Sequence, residues 1–341
     1  MKRITLVLLT VALALSASAT APKKKSVAKA PAKRASVAKP AAPVETAHRK
    51  TPYVGAISID ATTGRVLFED HADDEAYPAS VTKLMTLLLV MEDVKAGKCG
   101  YDDKVEATAD AYRSEPSWVG IKAGEKMSVR DLCAALMVES ANDAAIVLGV
   151  HSAGSFDAFV ARMNARAAEL GMKNTKYYNP NGLPPNAGKR YPWKSFNVST
   201  ARDQAILARA LVTKPEVLEL TSIKTCDLIK TADGFRVSVT RRTNEPNTPT
   251  APGAGEMIVK QMRNHNNVMV KDKLKIFNPD GTEAVDGLKT GYIDAGGSSV
   301  VLTGKRKGKR AIVVVLGSSS SDVREEQARR LLEDALGSLV W

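Results

Sequence analysis

Apolar and polar positions along the chain change their period several times, and each change marks an element. YVGAISID and VLFED, around the turn TTGR, read as a β-hairpin near residue 53. The stretch PASVTKLMTLLLVMED follows, with Leu84, Met85, Leu87, Leu88, Leu89, Val90, Met91 and Val94 spread nearly all round a helix. Such a helix belongs in a core. Ser80 is expected at or near its N-cap. Ser128 and Asp131 give a capping-box start to MSVRDLCAALMVES, and a second helix reads from about Asp143 after the break Ser140-Ala141-Asn142. Helical spacing continues through SFDAFVARMNARAAELGM and TARDQAILARALV. Strand patterns return at FRVSVTRR and VDGLKTGYI, and SSVVLTG and RAIVVVLG flank the basic turn KRKGKR as a hairpin. DVREEQARRLLEDALGSLV closes the chain as an amphipathic helix. Strands at both ends with helices between them predict an α+β fold: one antiparallel sheet flanked by helices, with a mainly helical insertion at about 98–215.

Composition changes this picture at the N-terminus. Lys2-Arg3, the apolar run ITLVLLTVALAL and the small residues Ala17-Ser18-Ala19 have the three parts of a secretory signal peptide, expected at 1–19. The mature protein is therefore expected in the periplasm or cell envelope. The net charge of +12 suggests nucleic acid until it is located. Residues 20–50 hold nine Lys or Arg against Glu45 alone, and Lys2 and Arg3 add two more, so the body from Thr51 onward is left at about +2. Nucleic acid is excluded as a partner. The 20–50 segment is a disordered linker by composition, either a tether or an adhesive for anionic envelope polymers. Cys99, Cys133 and Cys226 lack C-x-x-C spacing, and His48, His71, His151 and His265 are scattered, so neither a metal nor another cofactor is expected. Cys133 reads as a small core residue. A bridge from Cys99 to either other thiol is left open.

The chemistry starts from an awkward cation. Lys83 falls in the first turn of an apolar helix, where the dipole and burial both oppose its charge. Three residues from Ser80 it shares that residue's face, and a desolvated lysine near a second cation acts as a base on a serine. S-x-x-K alone is weak: Ser26 to Lys29 and Ser36 to Lys39 match it inside the linker. Two further elements separate Ser80 from these decoys. Ser140 and Asn142 offer a hydroxyl and an amide from a tight interhelix break, and Lys289-Thr290-Gly291 lies on a predicted strand. Ser195-Phe196-Asn197 repeats S-x-N without an apolar helix before it.

The order S-x-x-K, S-x-N, K-T-G on helix, loop and strand resembles the serine D-alanyl-D-alanine carboxypeptidases, the low-molecular-mass penicillin-binding proteins. The segments PASVTKLMT, ESANDAAI, FVARMNARAAELGMKNTKYYNPNGL, STARD, RNHNN, VDGLKTGYIDAGG and SSDVREEQARRLL carry the resemblance through almost the whole body, 51–341. It implies a β-lactamase/transpeptidase-like fold, peptidoglycan stem peptides as substrate and β-lactams as covalent inhibitors. By the same resemblance Ser80 is the nucleophile, Lys83 its base and Ser140 a proton relay beside Lys289. Asn142, Thr290 and Gly291 hold substrate, and the backbone N–H groups of Ser80 and Tyr292 receive the oxyanion. Three rivals stand beside this reading: a D,D-endopeptidase that cuts crosslinks, a β-lactamase, and a non-catalytic wall-binding protein. KDKLKIFNPDGTEA, residues 271–284, is longer than the family pattern; of a wall on the far side of the cleft, a groove along it or mere decoration, the wall is the favoured expectation. The chain stops soon after its last helix, so the C-terminal sheet domain and membrane helix of many such enzymes are not expected.

Overall fold

A computed structural model describes residues 51–109, 111, 117–185 and 195–340; the expected signal peptide and linker lie outside the described residues. The main sheet is antiparallel. It is built from β1 (Gly55–Asp60), β2 (Val66–Asp70) and three later strands, β8 (Val285–Ile293), β9 (Gly297–Arg306) and β10 (Lys309–Ser318), in the order β2-β1-β10-β9-β8. RAIVVVLG is apolar without alternation because its strand is covered on both faces. Ala311, Val313 and Val315 pack with Ala328, Leu331, Leu332, Ala335 and Leu336 of the C-terminal helix (Ser321–Ser338), whereas Ile312, Val314 and Leu316 join the larger core on the other side. The β9–β10 hairpin closes through Lys307 and Gly308, both at positive φ, the two-residue turn whose twist suits a right-twisted ribbon.

The larger core holds the helix α1 (Lys83–Lys95), whose residues from Lys83 to Met91 are all buried. Each Leu-sized side chain taken out of water there stabilises by about 1.5–3 kcal/mol. Around it lie α2 (Val129–Val138), α3 (Asn142–Ala153), α4 (Phe156–Leu170), α5 (Ala201–Val212) and α6 (Pro215–Thr221). The Ser128 hydroxyl accepts from Asp131 N at 3.0 Å and caps α2, as the capping box predicts. Its reciprocal half is not made; the Asp131 carboxylate accepts from Val237 N instead.

One expectation is narrowed and two need correction. Ser80 lies near the N-cap of α1 but is not the cap itself, which is Thr82. The serine lies within a 3-10 turn, Ala79–Thr82, and α1 begins only at Lys83, with no side-chain cap at either entry. The strands do not form one sheet. β3 (Lys104–Glu106) pairs with β4 (Lys126–Ser128), and FRVSVTRR, as β6 (Phe235–Arg242), joins β5 (Ile223–Lys230) and β7 (Met257–Arg263) in a separate sheet of order β6-β5-β7. β5 and β7 escape a period-two reading because β5 buries Lys224 and Asp227, while β7 exposes Met257 and Val259. The second correction concerns 271–284. This segment runs from the short helix α7 (Asn267–Val270) through a 3-10 turn to a tight hairpin in which Phe277 pairs with Glu283, and Arg306 donates to Phe277 O at 3.1 Å. Thr290 pairs with Val300, six residues before Arg306, so the hairpin tip lies roughly 20 Å along the strand from K-T-G. It does not wall the cleft. The C-terminal helix is α8 hereafter.

Candidate active site

The 3-10 turn, the entry of α1, the α2–α3 break and the edge strand β8 meet at one place. Ser80 is held from two sides by close backbone approach. A Cβ on Gly291 would stand 2.6 Å from Pro78 O and 3.0 Å from Ser80 N, and one on Gly182 only 1.8 Å from Ala79 O. Only glycine permits either approach. Ala79 itself adopts φ 49, an uncommon conformation for a side-chain-bearing residue, directly before the serine.

Lys83 is fully buried, and its Nζ has three partners: Ser80 Oγ at 2.8 Å, Asn142 Oδ1 at 2.7 Å and Asn181 O at 2.8 Å. The two carbonyl oxygens only accept. A neutral amine has two N–H groups and one lone pair, so both donors are matched by carbonyls and the lone pair is left for the serine hydroxyl. Burial, and after it the positive charge of Lys289, holds Lys83 well below its ordinary pKa, with Asp143 opposing. The neutral form is thus the one that both the geometry and the field favour.

Ser140 and Asn142 are both buried in the break between α2 and α3, and Ser140 turns the chain at φ 61. Asp143 anchors this corner. Its carboxylate accepts from Val119 N (3.2 Å), Gly120 N (2.8 Å), Ile121 N (3.3 Å) and Ala144 N (2.9 Å), and Asn142 N donates to Ser117 O at 2.8 Å.

On β8, Lys289 is 2 % exposed and the acceptor its ammonium reaches among the described residues is Thr290 O at 3.1 Å. Burial first, and then the Arg324 guanidinium, brings its pKa down to about 7, with Glu139 opposing. Thr290 is buried beside it. β8 is an edge strand, so half of its backbone groups have no ladder partner, and an extended peptide can pair there. The Tyr292 side chain points away to solvent and donates to Asp294 at 2.8 Å; only its backbone faces the question of the oxyanion.

All eight residues singled out in the sequence belong to elements that converge here. Three others were missed. Asn181 supplies a backbone oxygen, and no side-chain pattern announces a carbonyl. His265, between the buried Asn264 and Asn266 after β7, keeps part of its own surface in solvent yet is pushed down to about 4 by loss of the rest and then by the charges of Lys289, Lys83, Lys260 and Arg324, so it is neutral at pH 7. Arg324 is 5 % exposed, and it shares the α8 stripe of Ala328, Leu331 and Ala335. An arginine at a core-facing position of an amphipathic helix was the available signal.

The chain resembles known proteins over the same region. A family profile described as D-alanyl-D-alanine carboxypeptidase matches residues 44–320. The D-alanyl-D-alanine carboxypeptidase DacF of Bacillus subtilis is 30% identical over 280 residues, which cover 82% of this chain and 61% of the relative. The chain therefore spans about six-tenths of the length of the curated relatives it matches first. Among solved structures, the carboxypeptidase DacD from Francisella tularensis superposes with TM-score 0.70 at 29% identity, covering 88% of this chain and 74% of that one. Penicillin-binding protein D2 from Listeria monocytogenes, in its ampicillin-bound form, superposes with TM-score 0.63 at 28% identity, covering 84% and 98%.

Proposed function

The chain belongs to the D-alanyl-D-alanine carboxypeptidase family, and from that premise we propose that it is an exported serine D,D-carboxypeptidase, removing the terminal D-alanine from peptidoglycan stem pentapeptides through an acyl-enzyme on Ser80. The observation that carries the reading is the proton arrangement at Lys83: two acceptor-only carbonyls and one serine hydroxyl around a buried amine.

Ser80 Oγ attacks the carbonyl of the penultimate D-alanine while its proton passes to Lys83 Nζ. The oxyanion rests on the N–H groups of Ser80 and Tyr292, fixed dipoles aimed at developing charge. Collapse breaks the C–N bond, and the proton held on Lys83 passes through Ser140, with Lys289 beside it, to the leaving amine. D-alanine departs. Asn142 holds the peptide backbone, and Gly291 lets the extended substrate lie close to β8. Thr290 and the positive field of Lys289 and Arg324 receive the terminal carboxylate through charge-assisted hydrogen bonds. Water then cleaves the ester and returns the proton to the serine. A β-lactam enters the same step, but its leaving nitrogen stays tethered after ring opening and the ester persists.

The test is a digest with two substrates beside a labelling experiment. Monomeric pentapeptide muropeptides should lose one D-alanine much faster than crosslinked dimers are cut, read by chromatography with mass detection. Labelled penicillin should add one to one to the parent and not to Ser80→Ala. Rapid conversion of dimers to monomers with pentapeptides intact would overturn the carboxypeptidase reading in favour of an endopeptidase. Equal labelling of Ser80→Ala would remove Ser80 as the nucleophile.

A further inference from the structure

Ser195-Phe196-Asn197 imitates S-x-N in the sequence, yet its asparagine is tied to the turn that carries the nucleophile. Asn197 is 3 % exposed, and its carboxamide is saturated. The oxygen accepts from Tyr178 N at 2.7 Å and Asn179 N at 3.2 Å; the nitrogen donates to Asn179 O at 3.0 Å and to Thr82 Oγ1 at 3.0 Å. Thr82 is the residue before Lys83. One side chain therefore grips the entry of α1 and the first residue of the 179–183 turn at once.

That turn lies directly against the base. Asn179 Oδ1 accepts from Asn181 N at 3.2 Å and Gly182 N at 2.6 Å, so the side chain shapes its own turn. Pro180 O accepts from Thr86 Oγ1 at 2.7 Å, and Asn181 O accepts from Lys83 Nζ at 2.8 Å. Gly182 backs onto Ala79 O. Thr82, Lys83 and Thr86 thus bond successive parts of one small structure, and Asn197 fixes where that structure begins.

We propose that Asn197 is a positioning residue for the base: by bonding Thr82 and the Asn179 backbone together it holds the 179–183 turn against α1, keeping the Asn181 carbonyl on Lys83 and water away from it. This rests on the reading of Lys83 as the base of Ser80. Removing the carboxamide leaves the Tyr178 and Asn179 N–H groups, Asn179 O and the Thr82 hydroxyl to find other partners, and water is the one at hand. Burial is the main cause that depresses Lys83, so hydration restores affinity for the proton and lowers the neutral fraction at pH 7. The titratable groups facing Lys83 come from other elements, the charged Lys289 on β8 and Asp143 on α3 and the neutral His265 after β7, and Asn197→Ala leaves all three in place.

The experiment measures the second-order rate of penicillin acylation by intact mass from pH 5 to 9 for the parent, Asn197→Ala, Thr82→Val and the double variant, with thermal melting to follow folding. The acid limb of Asn197→Ala should move up by about one pH unit, with acylation up to about tenfold slower along that limb and rates that converge with the parent's above it. Thr82→Val, which keeps the shape and loses only the hydroxyl, should move the limb less in the same direction, and the double variant should not exceed Asn197→Ala. A uniform loss at every pH with the limb in place would leave Asn197 a structural residue and overturn the inference. If Asn197→Ala fails to fold, an unmoved limb in Thr82→Val overturns it equally. Failure of the parent itself to label at Ser80 would sink the serine-peptidase reading; a labelled parent with unmoved limbs sinks only the role of Asn197.

Discussion

The two ends of the β8–β9 ribbon both bury lysines, and they treat them in opposite ways. At the cleft end, Lys83 and Lys289 are buried beside one another with carbonyls and the Ser80 hydroxyl for partners, and among the described residues no carboxylate is in hydrogen-bond contact with either. At the other end the buried Lys224 and the half-buried Lys275 share the Glu283 carboxylate, and Arg310 makes a two-pronged pair with Asp286 at 2.7 Å. Lys224 too is lowered by burial, but its glutamate works against that shift. The far end is architecture: its ion pairs pin the 271–284 hairpin to β5 and the sheet. The cleft end keeps a cost of burial uncompensated, and an amine that gives up its proton near neutrality is the result. Size does not mark the chemistry. An open recess of about 840 Å³, lined by Ile59, Val66, Ile206, Arg209 and Lys305, lies at the far end and contains none of the site residues.

The largest test of this contrast removes the uncompensated base. Lys83→Ala should remain folded and lose penicillin acylation by on the order of 10³, the range of a general base in its transition state. A rate near that of the parent would show that the buried amine is only packing.

Next comes the paired end, where the effect should fall on stability and spare the chemistry. Glu283→Gln strands Lys224, while Lys275 keeps Asp272 at 2.7 Å, and removing one partner of a buried pair costs about 3 kcal/mol. Denaturant unfolding should register that loss while the acylation rate of the folded protein stays within about twofold, since the hairpin is remote from K-T-G. A large fall in rate would erase the distinction between the two ends.

The smallest expected effect concerns pH. With a pKa of about 7, Lys289 loses its charge just above neutrality, so the acylation rate of the free enzyme should decline there as the field for the carboxylate weakens. In Lys289→Met the rate should start about tenfold lower at pH 6 and the alkaline decline should vanish. A decline that persists unchanged would assign it to another group. The same shift has a stability sign. Lys289 binds its proton in the unfolded chain up to about 10.5 and in the folded one only to about 7. Between those values the unfolded state holds more protons, so this residue's contribution to stability rises with pH and is lost as pH falls toward 7.

The sequence by itself determined the hairpins, the all-apolar helix, the amphipathic closing helix and the three motifs, because each rests on local periodicity or on residues a few positions apart. It also placed Lys83 within reach of Ser80, since three residues on a helical turn share a face. Tertiary structure decided the rest. Whether Lys83 is neutral depends on Asn142, Asn181 and Lys289, which lie 59, 98 and 206 positions further along the chain and meet it only in the fold. The division of strands into separate sheets followed from pairing partners that local pattern does not name, and buried polar residues in β5 disguised its period. The 271–284 segment looked like a cleft wall because it adjoins K-T-G in sequence. A strand separates its two ends by its own length, and β8 carried the motif to one end and left the hairpin at the other.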